Sequence, residues 1–245
     1  MSSLRGKRVV ISGASSGIGL AAARALASGG AEVCLVARRA EPLAVLAADL
    51  GGRAWAQTCD VADPAAVKAL GSAVLTRWGA LDGLVNNAGV AGMASLADTS
   101  DAAWEETFAV NVRGPFLLCR ELGPLLARGE AAAVVNVSST LADKAIPGMA
   151  AYNASKAALN QLTRSLALEW APRVRVNAVM PGVVDTPIHA TRGLSPEQVQ
   201  SMGGIHPLQR IGRPEDVASL IAFLLSDASS WMTGAVIPVD GGMLA

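Results

Sequence analysis

Val9-Val10-Ile11-Ser12-Gly13-Ala14-Ser15-Ser16-Gly17-Ile18-Gly19 runs from an apolar stretch into a glycine-rich turn, and an alanine-rich helical pattern follows at once. The first residues show no polar alternation, the mark of a strand buried on both faces. Gly13 permits a tight turn, Gly17 lets a phosphate approach the backbone, and Gly19 lets helix and strand pack closely. Free N–H groups at the helix start, around Ser15, Ser16 and Ile18, then face a pyrophosphate. The Gly-x-x-x-Gly-x-Gly spacing departs from the Gly-x-Gly-x-x-Gly of larger dinucleotide-binding domains. A glycine turn by itself is weak; the strand before it and the helix after it mark a phosphate site.

The same alternation continues along the chain. Residues 9–12, 32–37, 54–58, 81–86, 133–138, 175–179 and 235–239 read as strands, and residues 17–29, 41–50, 64–78, 101–128, 152–170 and 214–226 as helices. The expected fold is α/β: one Rossmann-type domain over residues 1–245, a doubly wound parallel sheet of about seven strands with helices on both faces. Ligands of such sheets bind outside the carboxyl ends of the strands. Twenty basic and twenty acidic side chains in 245 residues give zero formal charge, so no nucleic-acid partner is expected and the ligand is small. Cys34, Cys59 and Cys119 lack metal-ligand spacing and sit among apolar neighbours, as buried thiols in a reducing cytoplasm would; no metal is expected. The opening run Met1 to Arg8 lacks a signal peptide's apolar core, and no apolar run approaches the ~20 residues of a membrane span. A cytoplasmic protein without a membrane partner is expected.

Two further junctions carry ligand chemistry. At the end of the second strand, where an acidic residue would bind the ribose hydroxyls of NAD, Ala37 stands instead, followed by Arg38 and Arg39. A carboxylate repels a 2′-phosphate and arginine pairs with one, so NADP(H) is favoured over NAD(H). After the third strand, Asp60 and Val61 would meet the adenine amino group and ring; Asp60 equally suits a cap for the helix near Pro64.

The only tyrosine, Tyr152, precedes Lys156 by four positions in Tyr152-Asn153-Ala154-Ser155-Lys156. On a helix the two share a face one turn apart. An ammonium ~4 Å from a phenol would lower its pKa by up to ~3 pH units, making a tyrosine able to exchange protons near neutrality.

The turn at Gly13 to Gly19, the run Asn86-Asn87-Ala88-Gly89, Ser139, Tyr152-x-x-x-Lys156, Pro181-Gly182 and the Asp240-Gly241-Gly242 end together resemble the short-chain dehydrogenase/reductase family, in its shorter single-domain branch. The resemblance implies NAD(P)-linked hydride transfer between a carbonyl and a hydroxyl. Tyr152 would be the acid or base, Lys156 would tune it and hold the nicotinamide ribose, and Ser139 would hydrogen-bond the substrate oxygen, with Ser138 the competing assignment. Asn111 would be the fourth member, its main-chain carbonyl holding a relay water. Pro115 gives an independent reason, since it lacks the N–H that would otherwise bond the carbonyl four residues earlier. Asn87, Ala88 and Gly89 would run along the cofactor while Asn86 ties strands together; Pro181, Gly182, Val184 and Thr186 would wrap the nicotinamide. Ser12 replaces the usual threonine and Met180 a common alanine. Ser16 stands where members that prefer NADP often carry a basic residue.

Residues 187–212 form a long connection beside this site, a candidate substrate lid with Gly193, Gly203 and Gly204 as hinges. His189 and His206 either line the pocket or pack. Gly92, Met93, Ala145, Ile146, Pro147 and Met149 suggest apolar walls, so an uncharged, mainly apolar substrate is expected. The family resemblance implies a homotetramer paired through the helices at 101–128 and 152–170. The leading expectation is an NADP(H)-dependent carbonyl reductase acting on a ketone, aldehyde or β-oxoacyl thioester. An NAD(P)-linked dehydrogenase of a secondary alcohol, steroid or sugar is the alternative, and a non-catalytic dinucleotide sensor a third.

Overall fold

A computed structural model describes residues 4–245, so the Met1–Ser3 part of the opening run lies outside the described residues. Seven strands form one sheet in the order β3-β2-β1-β4-β5-β6-β7, every pair parallel. They are β1 (Arg8–Ser12), β2 (Glu32–Ala37), β3 (Ala54–Thr58), β4 (Gly83–Asn86), β5 (Ala132–Val137), β6 (Val174–Pro181) and β7 (Val236–Val239). Eight α-helices connect or flank them: α1 (Gly17–Ser28), α2 (Ala40–Asp49), α3 (Pro64–Trp78), α4 (Asp101–Phe108), α5 (Gly114–Leu126), α6 (Ala150–Trp170), α7 (Pro196–Ser201) and α8 (Pro214–Leu225).

The apolar strands bury both faces, as their lack of polar alternation predicts. Val9 and Ile11 of β1 pack with Leu26 of α1, Leu43 of α2 and Ile221 of α8 on one side. Val10 joins Leu70 of α3, Leu118 of α5 and Ala167 of α6 on the other. The strand order reverses between β1 and β4, which places the crevice of a doubly wound sheet at their carboxyl ends.

The boundaries of α3 match the sequence reading, and the local reasons are plain. Asp63 caps the helix by accepting from Ala65 N–H, Pro64 fills the first turn, and Gly79 ends it with φ +69°. Asp60 is therefore not that cap; its Oδ1 accepts from Ala62 N–H at 2.9 Å in the turn before it. The helix expected over 101–128 is broken. A π-helical turn, Ala109–Arg113, separates α4 from α5, and Gly114 N–H reaches back to the Ala109 carbonyl. Pro115 at the start of α5 has no N–H for the normal ladder, and the chain absorbs the loss by widening one turn. The connection over 187–212 is more ordered than a bare loop. It contains a 3₁₀ segment Pro187–Arg192, the helix α7 with a Ser195/Gln198 capping box, and a second 3₁₀ segment Met202–Ile205. No α-helix of the described residues is long and apolar enough to cross a membrane.

Candidate active site

A cavity of about 730 Å³ opens at the carboxyl ends of the central strands. Its floor at one end is the glycine turn. Gly13 has φ +66°, and a Cβ on Gly19 would collide with the Gly13 carbonyl, so this helix start approaches the strand as only glycine allows. Asn87 locks the turn by donating from Nδ2 to the carbonyls of Ser12 at 3.0 Å and Gly13 at 3.1 Å. Ser12 Oγ accepts from the N–H groups of Asn87 and Ala88, so serine serves here where the family's threonine is usual. Asn86 turns away into the core and donates to Asn136 Oδ1 at 2.8 Å, tying β4 to β5.

The turn suits a pyrophosphate. Helix α1 has neither a side-chain cap nor an acidic residue in its first turn, which leaves its N-terminal N–H groups and positive dipole end facing the cavity. Ser15, Ser16, Gly17 and Ile18 line that end, and Ala37, Arg38, Arg39, Asp60 and Val61 line the wall beside it. Arg38 and Arg39 are exposed, and neither guanidinium forms an ion pair among the described residues. Asn87, Ala88, Gly89, Pro181, Gly182, Val184 and Thr186 complete the lining toward the middle. These residues fit a dinucleotide. Of the candidate catalytic and cofactor-binding residues, Gly19 and Asn111 alone are not among those that line the cavity.

The polar centre lies beyond Gly89. Tyr152 and Lys156, one turn apart on α6, both reach the cavity with Ser138 and Ser139. Ser138 Oγ donates to the Lys156 carbonyl at 3.2 Å, which fixes it against α6. Ser139 Oγ instead accepts from Leu141 N–H at 3.1 Å, and its side chain acts on the Tyr152 phenol, lowering its pKa. Asn111, fully buried in the π-turn, is clamped by its side chain: Oδ1 accepts from Val90 N–H, and Nδ2 donates to the Val90 carbonyl and Ser155 Oγ. A Cβ on Gly89 would sit 3.3 Å from Asn111 Oδ1 and 3.6 Å from Lys156 Nζ, so glycine leaves the narrow space where these groups converge.

The electrostatics depart from the sequence expectation. Lys156 Nζ donates to the Val137 carbonyl at 2.8 Å and lies 5.7 Å from the centre of the Tyr152 ring, not in a direct ion pair with its oxygen. Burial raises the Tyr152 phenol above its ordinary value, and Ser139 and Arg192 offset this only in part. Burial also lowers Lys156 to about 8. The correction is physical: spacing shows that two groups share a helix face, while desolvation depends on the walls around them. The thiols are inert by the same cause. Burial pushes Cys59 up to about 11 and Cys119 up to about 12, and it raises Cys34 as well.

The outer wall comes from the 187–212 connection and nearby loops. Ile146 and Met149 line it as expected, while Gly92, Met93, Ala145 and Pro147 are not part of the lining. His189 is buried at the wall; His206 packs away from it, with Nδ1 on the Asp240 carbonyl. The contributors not singled out in the sequence include Leu141, Ile188, Arg192 and Met243. The expected uncharged wall thus contains a guanidinium, and loop residues without a periodic or motif signal gave no means to find it.

A dinucleotide-shaped turn joined to a tyrosine, serine and lysine around one cavity defines a nicotinamide-dependent oxidoreductase site. The family model described as enoyl-(acyl carrier protein) reductase matches residues 13–244. The chain belongs to the short-chain dehydrogenase/reductase family, NAD(P)-dependent enzymes that interconvert alcohols and carbonyls. It is 42% identical over 241 residues to cis-4-hydroxycyclohexanecarboxylate dehydrogenase of Sinomonas cyclohexanicum, covering 96% of each chain. It is 39% identical over 243 residues to D-threitol dehydrogenase of Mycolicibacterium smegmatis, covering 98% of this chain and 93% of that protein. The structure of 3-ketoacyl-(acyl-carrier-protein) reductase from Brucella melitensis, complexed with NADH, superposes with a TM-score of 0.94 at 34% identity, covering 99% of this chain and 100% of that one.

Proposed function

We propose that the chain is an NADP(H)-dependent carbonyl reductase in which Tyr152 donates the proton. The convergence of Tyr152, Ser139 and Lys156 at one end of a cavity whose other end is the glycine turn carries this reading. The bound nicotinamide supplies the hydride. Ser139 Oγ–H holds the carbonyl oxygen and stabilises its developing charge, and the Tyr152 hydroxyl delivers a proton to the same oxygen. A phenol raised by burial stays protonated at neutral pH, which suits the reductive direction. Lys156, anchored on the Val137 carbonyl, would hold the nicotinamide ribose, and the Asn111 carbonyl in the π-turn would hold a water that returns protons to it. Ala37 in place of a carboxylate, with two unpaired arginines after it, supports NADP(H) over NAD(H).

A second reading, oxidation of a secondary alcohol, is favoured by relatives named for that direction, the D-threitol and cis-4-hydroxycyclohexanecarboxylate dehydrogenases. The same residues serve both directions, with Tyr152 then the base. Exposed Phe116 on α5 and Leu168 on α6 offer apolar surface for twofold pairing, so a homotetramer is the assembly proposed, checked by light scattering. The test of function follows NADPH and NADH consumption at 340 nm against ketones, aldehydes and a β-oxoacyl thioester. Tyr152→Phe is expected to cut turnover by roughly 10²–10⁴-fold while NADPH binding persists. Turnover retained in that variant would remove Tyr152 as the acid.

A further inference from the structure

Arg192 closes the 3₁₀ segment Pro187–Arg192 and lines the same cavity as Tyr152 and Ser139. A guanidinium inside a half-closed cavity ordinarily has a carboxylate partner or several acceptors. Arg192 has neither. It forms no ion pair among the described residues, and its Nε is buried without a hydrogen-bond partner. Its one side-chain hydrogen bond among the described residues runs from Nη1 to His189 Nδ1 at 3.5 Å. His189 is itself oriented: its Nε2 lies 2.8 Å from the Val184 carbonyl and must donate to it, which leaves Nδ1 as the acceptor toward Arg192. Burial and the neighbouring guanidinium also lower the His189 pKa, which keeps the ring neutral. The fork formed by Nε–H and Nη2–H thus has no hydrogen-bond partner among the described residues, and a histidine holds the guanidinium by its other nitrogen, Nη1.

We propose that Arg192 is an anion-binding residue of the substrate pocket, and that the substrates are oxo acids, or the matching hydroxy acids, whose carboxylate seats on the Nε/Nη2 fork. The two parallel donors match the two oxygens of a carboxylate. Leu141, Met149, Ile188 and Met243 pack with Tyr152 and line the cavity that Arg192 also lines, so the body expected to join the carboxylate to the reacting carbon is hydrocarbon. His189 is a positioning residue for the guanidinium. This inference rests on the carbonyl-reductase reading of the same site and names its substrate class. It also replaces the uncharged substrate expected from the sequence.

The experiment compares ring and straight-chain oxo acids with their methyl esters, with NADPH as reductant. The wild type is expected to favour each acid over its ester in kcat/KM, carried mainly by KM. In Arg192→Gln the acid-to-ester ratio is expected to fall roughly 10–100-fold, the effect of losing a charge-assisted pair. Arg192→Lys is expected to restore part of the ratio, because it returns the charge without the fork. Cyclohexanecarboxylate, as a non-reacting probe, is expected to raise the melting temperature of the NADPH-loaded wild type and not of Arg192→Gln. Ester turnover equal to acid turnover in the wild type, or an acid-to-ester ratio unmoved by Arg192→Gln, would overturn the proposal. So would a weaker NADPH dissociation constant in Arg192→Gln with that ratio unchanged, which would assign the guanidinium to the cofactor. Failure of the reductase reading looks different: no acid or ester is turned over, and Tyr152→Phe behaves as the wild type does.

Discussion

Replacing Lys156 by methionine is expected to make the folded chain more stable at neutral pH while removing its turnover. Lys156 is 4% exposed, and burial lowers its ammonium from the ordinary 10.5 to about 8. The folded protein therefore holds that proton less tightly than the unfolded chain does. Below pH 8 both states carry the charge and the fold bears the full desolvation penalty. Between pH 8 and 10.5 the folded lysine is neutral while the unfolded one stays charged, so wild-type stability rises with pH through that window. At about 1.4 kcal/mol per pH unit the penalty is about 3 kcal/mol. Methionine leaves the Val137 carbonyl without its 2.8 Å donor, a loss of roughly 1 kcal/mol. The variant is thus expected to gain about 2 kcal/mol at pH 7. Urea unfolding of both ligand-free proteins, from pH 7 to 10.5, measures the difference, which is expected to shrink with rising pH and to reverse sign near the upper end. A variant no more stable than the wild type at pH 7, or a difference flat with pH, would mean that desolvation is not the controlling cost at this lysine.

Arg38→Asp is expected to weaken NADPH at least tenfold more than NADH, since it places a carboxylate beside the 2′-phosphate; fluorescence titration of both cofactors checks this, and equal losses would remove the arginines as readers of that phosphate. Asp82→Ala is expected to destabilise the fold by about 3 kcal/mol in denaturant titration, because buried Asp82 accepts from Arg8 N–H, Nε and Nη2 and from Glu130 N–H. Burial pushes the Asp82 pKa up, but those donors outweigh it and hold it below the ordinary 3.8. The stabilisation is therefore present above that pH and lost as acid takes the protonated form, so the gap between wild type and variant is expected to narrow as the pH falls below 3.8.

The sheet was legible because buried parallel strands need uninterrupted apolar runs, and the Val9, Val85 and Val135 runs supply them. Helix α3 was legible to the residue because Asp63, Pro64 and Gly79 each have a local reason to be where they are. The break at Ala109–Arg113 was not. Pro115 announces a lost hydrogen bond, but whether a helix kinks, ends or widens is decided by what packs on it, here Val90 and Ser155 gripping Asn111. Asp60 was ambiguous for a similar reason: two aspartates, Asp60 and Asp63, lie near one helix start, and only the path of the backbone decides which caps it.

The site divides along the same line. Tyr152 and Lys156 were legible as partners because four residues on a helix fix their shared face. Their protonation was not, because burial is a property of the surrounding walls, and here it opposes the shift that spacing alone suggests. The glycines were legible because close backbone approach admits no other residue. Arg192 had no such signature; an arginine in a loop is usually solvated, and only the fold shows this one turned inward, held by His189 and facing Tyr152 without a counter-ion. The reaction is therefore written in residues constrained by backbone geometry, and the choice of substrate in residues constrained only by where the 187–212 connection folds back.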